Sequence, residues 1–231
     1  MTKEPDDGKA FFGRDAMANY MLVGAKQLGT TLFEVKDGKL KLNFDKDVVR
    51  MLWDNYYVPY VKGYFASSGR FRSDDIKTGN ILAYAGSTSS ATFFPKKVIK
   101  SETESHDIEL EVLPAPIFKD GEKWNIQQGA GMVVTKGTEE EIKASVQFLK
   151  WFTAPKNNTG FSVSSGYLPV TKKGTDMIEI HKNEKEIPEY MEAVLTEAVK
   201  TVNSNKLYTT PVFEGAMDAR ASLDYVMSDV A

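Results

Sequence analysis

Residues 124–171 constrain the fold of this chain more than any other stretch, because they predict a strand, a capped helix and a closing turn in succession. Gly129 and Gly131 precede the apolar run Met132–Val134. Glycine just before such a run indicates a positive φ angle or a close approach of the backbone to another group. The pattern therefore predicts a buried strand at residues 132–134.

A helix is predicted directly after this strand. Thr138 and Glu141 match a capping box, in which each side chain accepts a hydrogen bond from a backbone N–H at the helix start. Pro155 is expected to end the helix, and Asn157-Asn158 to form a loop. The apolar residues that recur at helical spacing, and are therefore predicted to be buried, are Ile142, Val146, Leu149 and Phe152.

Four motifs follow one another between residues 128 and 170: QGAGMVV, FLKWF, TAP-x-N and GYLPV. In this order they resemble the extracellular solute-binding proteins of ABC importers, within the group that includes the sugar- and glycerol-3-phosphate-binding proteins. The GSTSS turn at residues 86–90 extends the resemblance. It implies an α/β fold of the type II periplasmic-binding-protein kind, in which two lobes enclose the ligand.

The resemblance also implies a domain division. Residues 1–117 and 171–231 would form the second, C-terminal lobe, and residues 118–170 would belong to a first lobe whose remaining part is absent. Proteins of this kind are longer than this chain and open with a signal peptide. Residues 1–10 show no signal peptide and by themselves indicate a cytoplasmic protein. The resemblance instead implies an extracytoplasmic place, at the cell surface as a lipoprotein or in the periplasm.

Composition excludes several classes of function. The net charge of −3 argues against binding to nucleic acid or to an anionic membrane. The absence of cysteine excludes disulfides and thiolate chemistry in this chain. No apolar run approaches the ~20 residues of a membrane-spanning helix. His106 and His181 lack metal-ligand spacing, and no hydrolase or nucleotide-binding motif is present, so we expect no metal, no cofactor and no catalysis.

Periodicity and turn residues predict further elements. A β-hairpin is expected at residues 32–42 around Asp37-Gly38. Asp45 is expected to begin a helix that ends at Pro59. The remaining predictions are helices at 15–28, at 73–79, from Pro188 and at 214–228, and strands at 81–85 and 108–113.

Ser87, Thr88 and Ser89 are the first candidate binding residues, because they follow the predicted strand 81–85. Open α/β sheets bind ligands beyond the carboxyl ends of their strands. Hydroxyls and free backbone N–H groups in such a turn suit sugar hydroxyls or phosphate oxygens. A plain turn, rich in serine because serine caps helices, remains the alternative.

Gln127, Gln128 and Gly129 are the second candidates. The two amides carry donors and acceptors together, as a sugar hydroxyl does, and glycine allows the backbone to approach a ligand. The alternative is that they lie at the rim of a strand. Tyr167 and, less directly, Phe213 are aromatic candidates that could stack on the apolar face of a sugar. The resemblance implies ligand contacts for Tyr167, in GYLPV, and for Ser87 or its neighbours.

One departure from the family bears on the ligand. Glycerol-3-phosphate binders have an arginine just after a proline near the last helix, whereas Pro211 is followed by Val212 and the next arginine is Arg220. Because a buried phosphate needs a cation, this favours a neutral carbohydrate. The sequence thus predicts a protein that binds a carbohydrate-like solute by hinge closure and delivers it to the ABC permease. A polyol phosphate ligand, and a carbohydrate-active enzyme or accessory interaction domain, remain as alternatives.

Overall fold

A computed structural model describes residues 7–227 of the chain, as a mixture of helices and short strands. The helices are α1 (Met17–Gln27), α2 (Lys46–Val61), α3 (Arg72–Thr78), a 3-10 helix (Thr88–Phe93), α4 (Glu139–Phe152), α5 (Pro155–Ser165), α6 (Met177–Asn183), α7 (Glu189–Ser204) and α8 (Ala216–Tyr225). The strands are β1 (Phe12–Arg14), β2 (Phe33–Lys36), β3 (Lys39–Leu42), β4 (Ala83–Ala85), β5 (Lys97–Ile99), β6 (Ser105–Asp107), β7 (Trp124–Ile126) and β8 (Lys206–Tyr208).

The strands form four pairs. β1 runs parallel to β4 with Arg14 opposite Ala85, and β7 runs parallel to β8 with Ile126 opposite Tyr208. β2 with β3 and β5 with β6 are antiparallel. Because parallel partners end at the same edge, each parallel pair presents two strand ends side by side.

Local signals predicted the first third of the chain well. The helix expected at residues 15–28 is α1, and the expected hairpin is β2–β3. Asp37 and Gly38 turn the hairpin with φ angles of 52° and 72°, as a two-residue hairpin turn of this kind requires. The Asp45 carboxylate accepts hydrogen bonds from the N–H groups of Asp47 and Val48 and so caps α2.

Two predictions made at proline residues are wrong. α2 continues past Pro59 to Val61, because a proline in the last turn removes a single intrahelical hydrogen bond. Pro155 begins α5 at a position where the missing N–H is no loss, so the predicted loop at Asn157-Asn158 is wrong. The buried Asn158 side chain accepts the Val170 N–H at 2.8 Å and holds the segment after α5.

Short strands were predicted least well. No strand is assigned at 108–113 or 132–134 among the described residues, and Val133 is 87% exposed. β1 and β8 were not predicted, because strands of three residues carry no periodicity, and the seven-residue helix α6 was not predicted either. The helix from Pro188 is α7, and the last helix is α8. The predicted end of that helix at residue 228 lies outside the described residues.

Three apolar clusters organise the packing. The first joins α1, α2 and β2 around Leu22 and Leu52, with Phe118 and Trp124 packed against it. The second is built by α6 and α7 with partly buried side chains of their neighbours; its fully buried members are Ile180, Met191 and Leu195. The third lies between α3 and β4, at Ala10, Ile76 and Ile81.

α4 is a capped helix without a buried face. Thr138 and Glu141 form the predicted capping box, with the Thr138 N–H donating to Glu141 Oε2 at 2.8 Å. Every residue of α4 is nevertheless exposed or half-buried, so the predicted burial of its apolar face is wrong for this chain. The face and the segment 132–134 border an apolar groove of about 540 Å³.

The helices of the described part of the chain include none with the length and apolar character needed to cross a membrane.

Candidate functional site

The carboxyl ends of the two parallel strand pairs form the candidate site. Beyond β1 and β4, the Asp15 N–H donates to the Ala85 carbonyl at 2.9 Å, and beyond β7 and β8, the Gln127 N–H donates to the Tyr208 carbonyl at 2.8 Å. Ala16, which follows Asp15, has a φ angle of 53°, which is unusual for a residue other than glycine. Backbone strain of this kind concentrates at functional sites.

A cleft of about 240 Å³ opens at the ends of β7 and β8. Its lining is contributed by α1, by the segments after both strands and by α8. The lining residues are Asn19, Ile126, Gln127, Gln128, Gly129, Thr209, Thr210 and Arg220. Amides, hydroxyls and one guanidinium therefore dominate this cleft, a composition suited to a polar ligand.

Two buried polar atoms lack partners, one on Asn19, which lines this cleft, and one on Tyr208, which ends β8 directly before the lining residues Thr209 and Thr210. Asn19 Oδ1 and the Tyr208 hydroxyl oxygen make no hydrogen bond within residues 7–227. Burial raises the pKa of Tyr208, and the nearby Arg220 charge opposes that rise. Because buried polar groups are normally paired, unpaired ones beside a cleft indicate a place where a ligand or water supplies the missing bond.

The serine-rich turn closes the end of β4. Ser87 and Thr88 are exposed and Ser89 is half-buried, and the Ser87 and Ser89 hydroxyls lie 3.0 Å apart. The Ser90 hydroxyl donates to the Ser87 carbonyl at 2.6 Å, which holds the turn. The hydroxyl groups of Ser87 and Thr88 thus face solvent from a fixed backbone.

Tyr167 is brought to this serine-rich turn by the end of α5. Gly166 has a φ angle of 75°, and a Cβ atom there would lie 2.7 Å from the Thr88 carbonyl oxygen and 2.9 Å from Ser89 Cα. Only glycine fits that contact. Tyr167 follows it with 40% of its surface exposed and its ring 6.0 Å from the Phe161 ring. The contact of Gly166 with Thr88 and Ser89 therefore brings Tyr167 next to the serine-rich turn. That these residues bind a ligand stays a prediction.

The predicted residues of the second group lie together at the cleft. Gln127, Gln128 and Gly129 line it and are exposed. The positive φ angle or close backbone approach expected at Gly129 and Gly131 is not observed. Neither has a positive φ angle, and a Cβ atom at either would meet no described neighbour. Phe213 does not line the cleft; its ring packs edge-on against Phe33 at 5.6 Å in the first cluster.

Sequence reasoning missed the other half of this cleft. Thr209 and Thr210 follow β8 as the serine turn follows β4, but the three-residue strand β8 was not predicted, so the similarity between the two strand ends went unnoticed. Arg220 was set aside as too far along the last helix, yet α8 brings it to the cleft. No sequence signal places Asn19 there, because its position depends on how α1 packs on β7.

The histidines lie outside the candidate site. His106 is exposed in β6, and His181 Nε2 lies 2.9 Å from Glu192 Oε2 on the surface of α6 and α7. Within the described residues no group of three or more histidine and carboxylate side chains could hold a metal ion.

Comparison with known proteins gives a consistent result. The search of curated proteins finds no match. Among solved structures, UgpB from Mycobacterium tuberculosis, in complex with glycerophosphocholine, matches with a TM-score of 0.65 at 19% identity. The match covers 98% of this chain and 54% of UgpB, so the chain spans about half the length of that protein. The predicted α/β solute-binding-protein fold is thereby confirmed for a part of the full fold.

The sequence match concerns the family. The model of the bacterial extracellular solute-binding proteins matches residues 2–189, most of the chain, and confirms the resemblance seen in the motifs. The chain belongs to the family of bacterial extracellular solute-binding proteins.

Proposed function

We propose that this chain is part of a protein that binds a carbohydrate-like solute outside the cytoplasm and delivers it to the permease of an ABC transporter. The observation that carries the proposal is that polar side chains gather at the carboxyl ends of each of two parallel strand pairs. The first group consists of Ser87, Thr88, Ser89 and Tyr167. The second group lines the cleft and includes Gln127, Gln128 and Gly129. Hydroxyl and amide groups near an exposed aromatic ring suit a sugar.

The mechanism is binding without chemistry. Two lobes close on the ligand about a hinge, and closure replaces water by paired hydrogen bonds. Selectivity follows because a solute that leaves a buried polar group unpaired is disfavoured. The permease then receives the solute from the closed form. Family membership supports this mechanism, as does the outward-facing position of the candidate residues.

The division into lobes is part of the proposal. We assign residues 1–117 and 171–231 to the second lobe and residues 118–170 to the first. The exposed apolar surface of 132–134 and α4 supports a missing first-lobe partner, because such a surface is normally covered. Trp124 packs against the first cluster and Leu168 against the second, and both clusters are built mainly by residues assigned to the second lobe. The packing therefore favours a first-lobe segment that is shorter than 118–170 and lies within it.

A polyol phosphate is the second candidate ligand. The observation that favours it is Arg220, which lines the cleft although the sequence suggested that no arginine would reach it. A guanidinium suits a phosphate group because it donates several hydrogen bonds and carries a charge. UgpB, whose fold this chain shares, was solved with the phosphodiester glycerophosphocholine.

Titration calorimetry tests the function. A form of the protein that contains both lobes is expected to bind one class of sugar or polyol phosphate, and the 231-residue chain is expected to bind none tightly. Micromolar binding by the 231-residue chain alone would contradict the shared-lobe mechanism. Failure of the two-lobe form to bind any member of a broad sugar and polyol-phosphate library would contradict the function itself.

Variants locate the ligand. Tyr167→Ala and Gln127→Ala are each expected to weaken binding by the two-lobe form about tenfold or more, because each removes a stacking or hydrogen-bonding partner. Tyr190→Ala, an exposed tyrosine on α7 outside the candidate site, is the matched control and should bind normally. A carbohydrate-active enzyme, the remaining alternative, would release product from the same sugars during prolonged incubation.

A further inference from the structure

We propose that the cleft at the ends of β7 and β8 receives an anionic group of the solute, with Arg220 as its cation and Asp224 as the residue that keeps Arg220 available. The proposal rests on the proposed solute-binding function and adds the charge of the ligand and the origin of the site's specificity. Neither residue was a predicted binding residue from the sequence.

Arg220 has a neighbour that would ordinarily neutralise it. Asp224 follows it by four residues on α8, the spacing at which oppositely charged side chains on a helix pair. Arg50 and Asp54 in α2 have the same spacing and do pair, with 2.7 Å between Nε and Oδ2. Arg220, in contrast, forms no ion pair with any carboxylate of residues 7–227.

Asp224 is engaged elsewhere. Its Oδ1 accepts the backbone N–H of Ala18 at 2.6 Å, in the first turn of α1. A carboxylate is favourable there because the first N–H groups of a helix lack intrahelical partners and the helix dipole is positive at that end. α1 has no capping side chain of its own, since its first turn contains no acidic residue and Ala16 precedes it. Asp224 therefore caps α1 from α8, and within residues 7–227 it forms no ion pair with Arg220.

The remaining lining indicates what else the anionic solute carries. The Thr209 and Thr210 hydroxyls can donate to an anionic oxygen, as the guanidinium does. Asn19 Oδ1, buried and unpaired, can accept from a hydroxyl group. A ligand that carries hydroxyl groups next to an anionic oxygen satisfies both. Polyol phosphates and sugar acids share that chemistry.

The cleft can be tested in the 231-residue chain with inorganic phosphate as the probe. Titration followed by two-dimensional amide NMR should shift the signals of Asn19, Thr209 and Thr210. Arg220→Gln should weaken this response about tenfold or more, because it removes the charged donor. Arg50→Gln, on α2, is the matched control and should respond as the unmodified chain does. Acetate, titrated in parallel, distinguishes a preference for phosphate from one for carboxylate.

The role of Asp224 is tested by two substitutions. Removal of a negative charge near the cleft should by itself strengthen phosphate binding. Asp224→Ala also removes the hydrogen bond by which α8 is held to the Ala18 N–H, so we expect it to weaken phosphate binding several-fold despite the loss of the charge. Asp224→Asn keeps an oxygen for the Ala18 N–H and should bind phosphate at least as well as the unmodified chain. The dispersion of the amide spectrum confirms that each variant is folded.

Three results would overturn the proposal: no response of the cleft to phosphate or acetate, an unchanged response in Arg220→Gln, or phosphate binding by Asp224→Ala as tight as that of the unmodified chain. None of these results would contradict the solute-binding function, which is tested separately by titrating the two-lobe form with neutral sugars. A two-lobe form that binds only neutral sugars would, conversely, leave the function standing and exclude an anionic ligand.

Discussion

α4 and α7 differ in their surroundings far more than in their sequence patterns. Both are amphipathic helices of similar length with an apolar residue at nearly every third or fourth position. α7 buries Met191 and Leu195 completely in the second cluster. α4 leaves Phe148 and Trp151 more than half exposed. Helical periodicity thus predicts which face of a helix is suited to burial, and the presence of a partner decides whether it is buried.

The two helices also differ in what stabilises them. α7 has no side-chain cap and depends on packing, whereas α4 has a complete capping box and contacts mainly α5. Substitutions in α7 should therefore act on the whole chain, and those in α4 should act locally.

The largest expected difference is that between Leu195→Ala and Leu149→Ala. Leu195 is fully buried, so its truncation should lower the free energy of unfolding by about 2–5 kcal/mol. Leu149→Ala is the same substitution at a half-buried position of α4 and should lower the free energy of unfolding by less than about 1 kcal/mol. Urea unfolding followed by circular dichroism measures both. Equal losses would show that α4 packs as tightly as α7.

The same contrast explains how much of the fold the sequence could predict. α1, α2, α4 and α7 were predicted because caps and periodicity are local properties. Of the three-residue strands, β4 lies within the predicted strand 81–85, whereas β1, β7 and β8 were not predicted, because each depends on a partner far along the chain, as β7 does on β8. The burial of α4 was predicted wrongly for the same reason, since the pattern carries no information about whether the covering surface is present.

The candidate site divides in the same way. Ser87 was chosen as a candidate because it follows the predicted strand 81–85, and Gln127 because its amide carries donors and acceptors beside Gly129. Asn19 and Arg220 were missed because helix packing, not spacing, brings them to the cleft.

The second difference concerns helix caps. Asp45→Ala, in the packed helix α2, should lower the free energy of global unfolding by about 1 kcal/mol. Thr138→Ala should change it little but increase amide hydrogen exchange throughout α4, because the cap is a large part of what holds this helix. A matching loss of global stability in Thr138→Ala would show that α4 unfolds together with the rest of the chain.

The third prediction concerns the packed core at high pH. Burial raises the pKa of Tyr20 to about 12, and the hydroxyl donates to the Leu52 carbonyl at 2.7 Å. Because the folded-state pKa exceeds the unfolded value of 10.0, this contribution to stability is complete below pH 10 and is lost as the pH rises towards 12. Tyr20→Phe should remove this part of the pH dependence and lower stability by about 1 kcal/mol at pH 7.

Unfolding curves of the two proteins between pH 8 and pH 11 are the measurement. Parallel loss of stability in both would assign the alkaline unfolding to groups other than Tyr20.

The smallest expected effect is at Trp151, on the exposed face of α4. Trp151→Ser should change the free energy of unfolding by less than about 0.5 kcal/mol, because the side chain is already 57% exposed. Its matched control is Trp53→Ser, since Trp53 stacks on Tyr57 at 4.1 Å and packs against the first cluster, and its loss should cost about 2 kcal/mol or more. The same Trp151→Ser chain should bind less of a hydrophobic dye such as ANS, because α4 loses a large exposed apolar side chain. A Trp151→Ser chain that is as unstable as Trp53→Ser would mean that α4 buries its apolar face in solution, by closing on this chain or on a second copy, and concentration-dependent unfolding would distinguish the two.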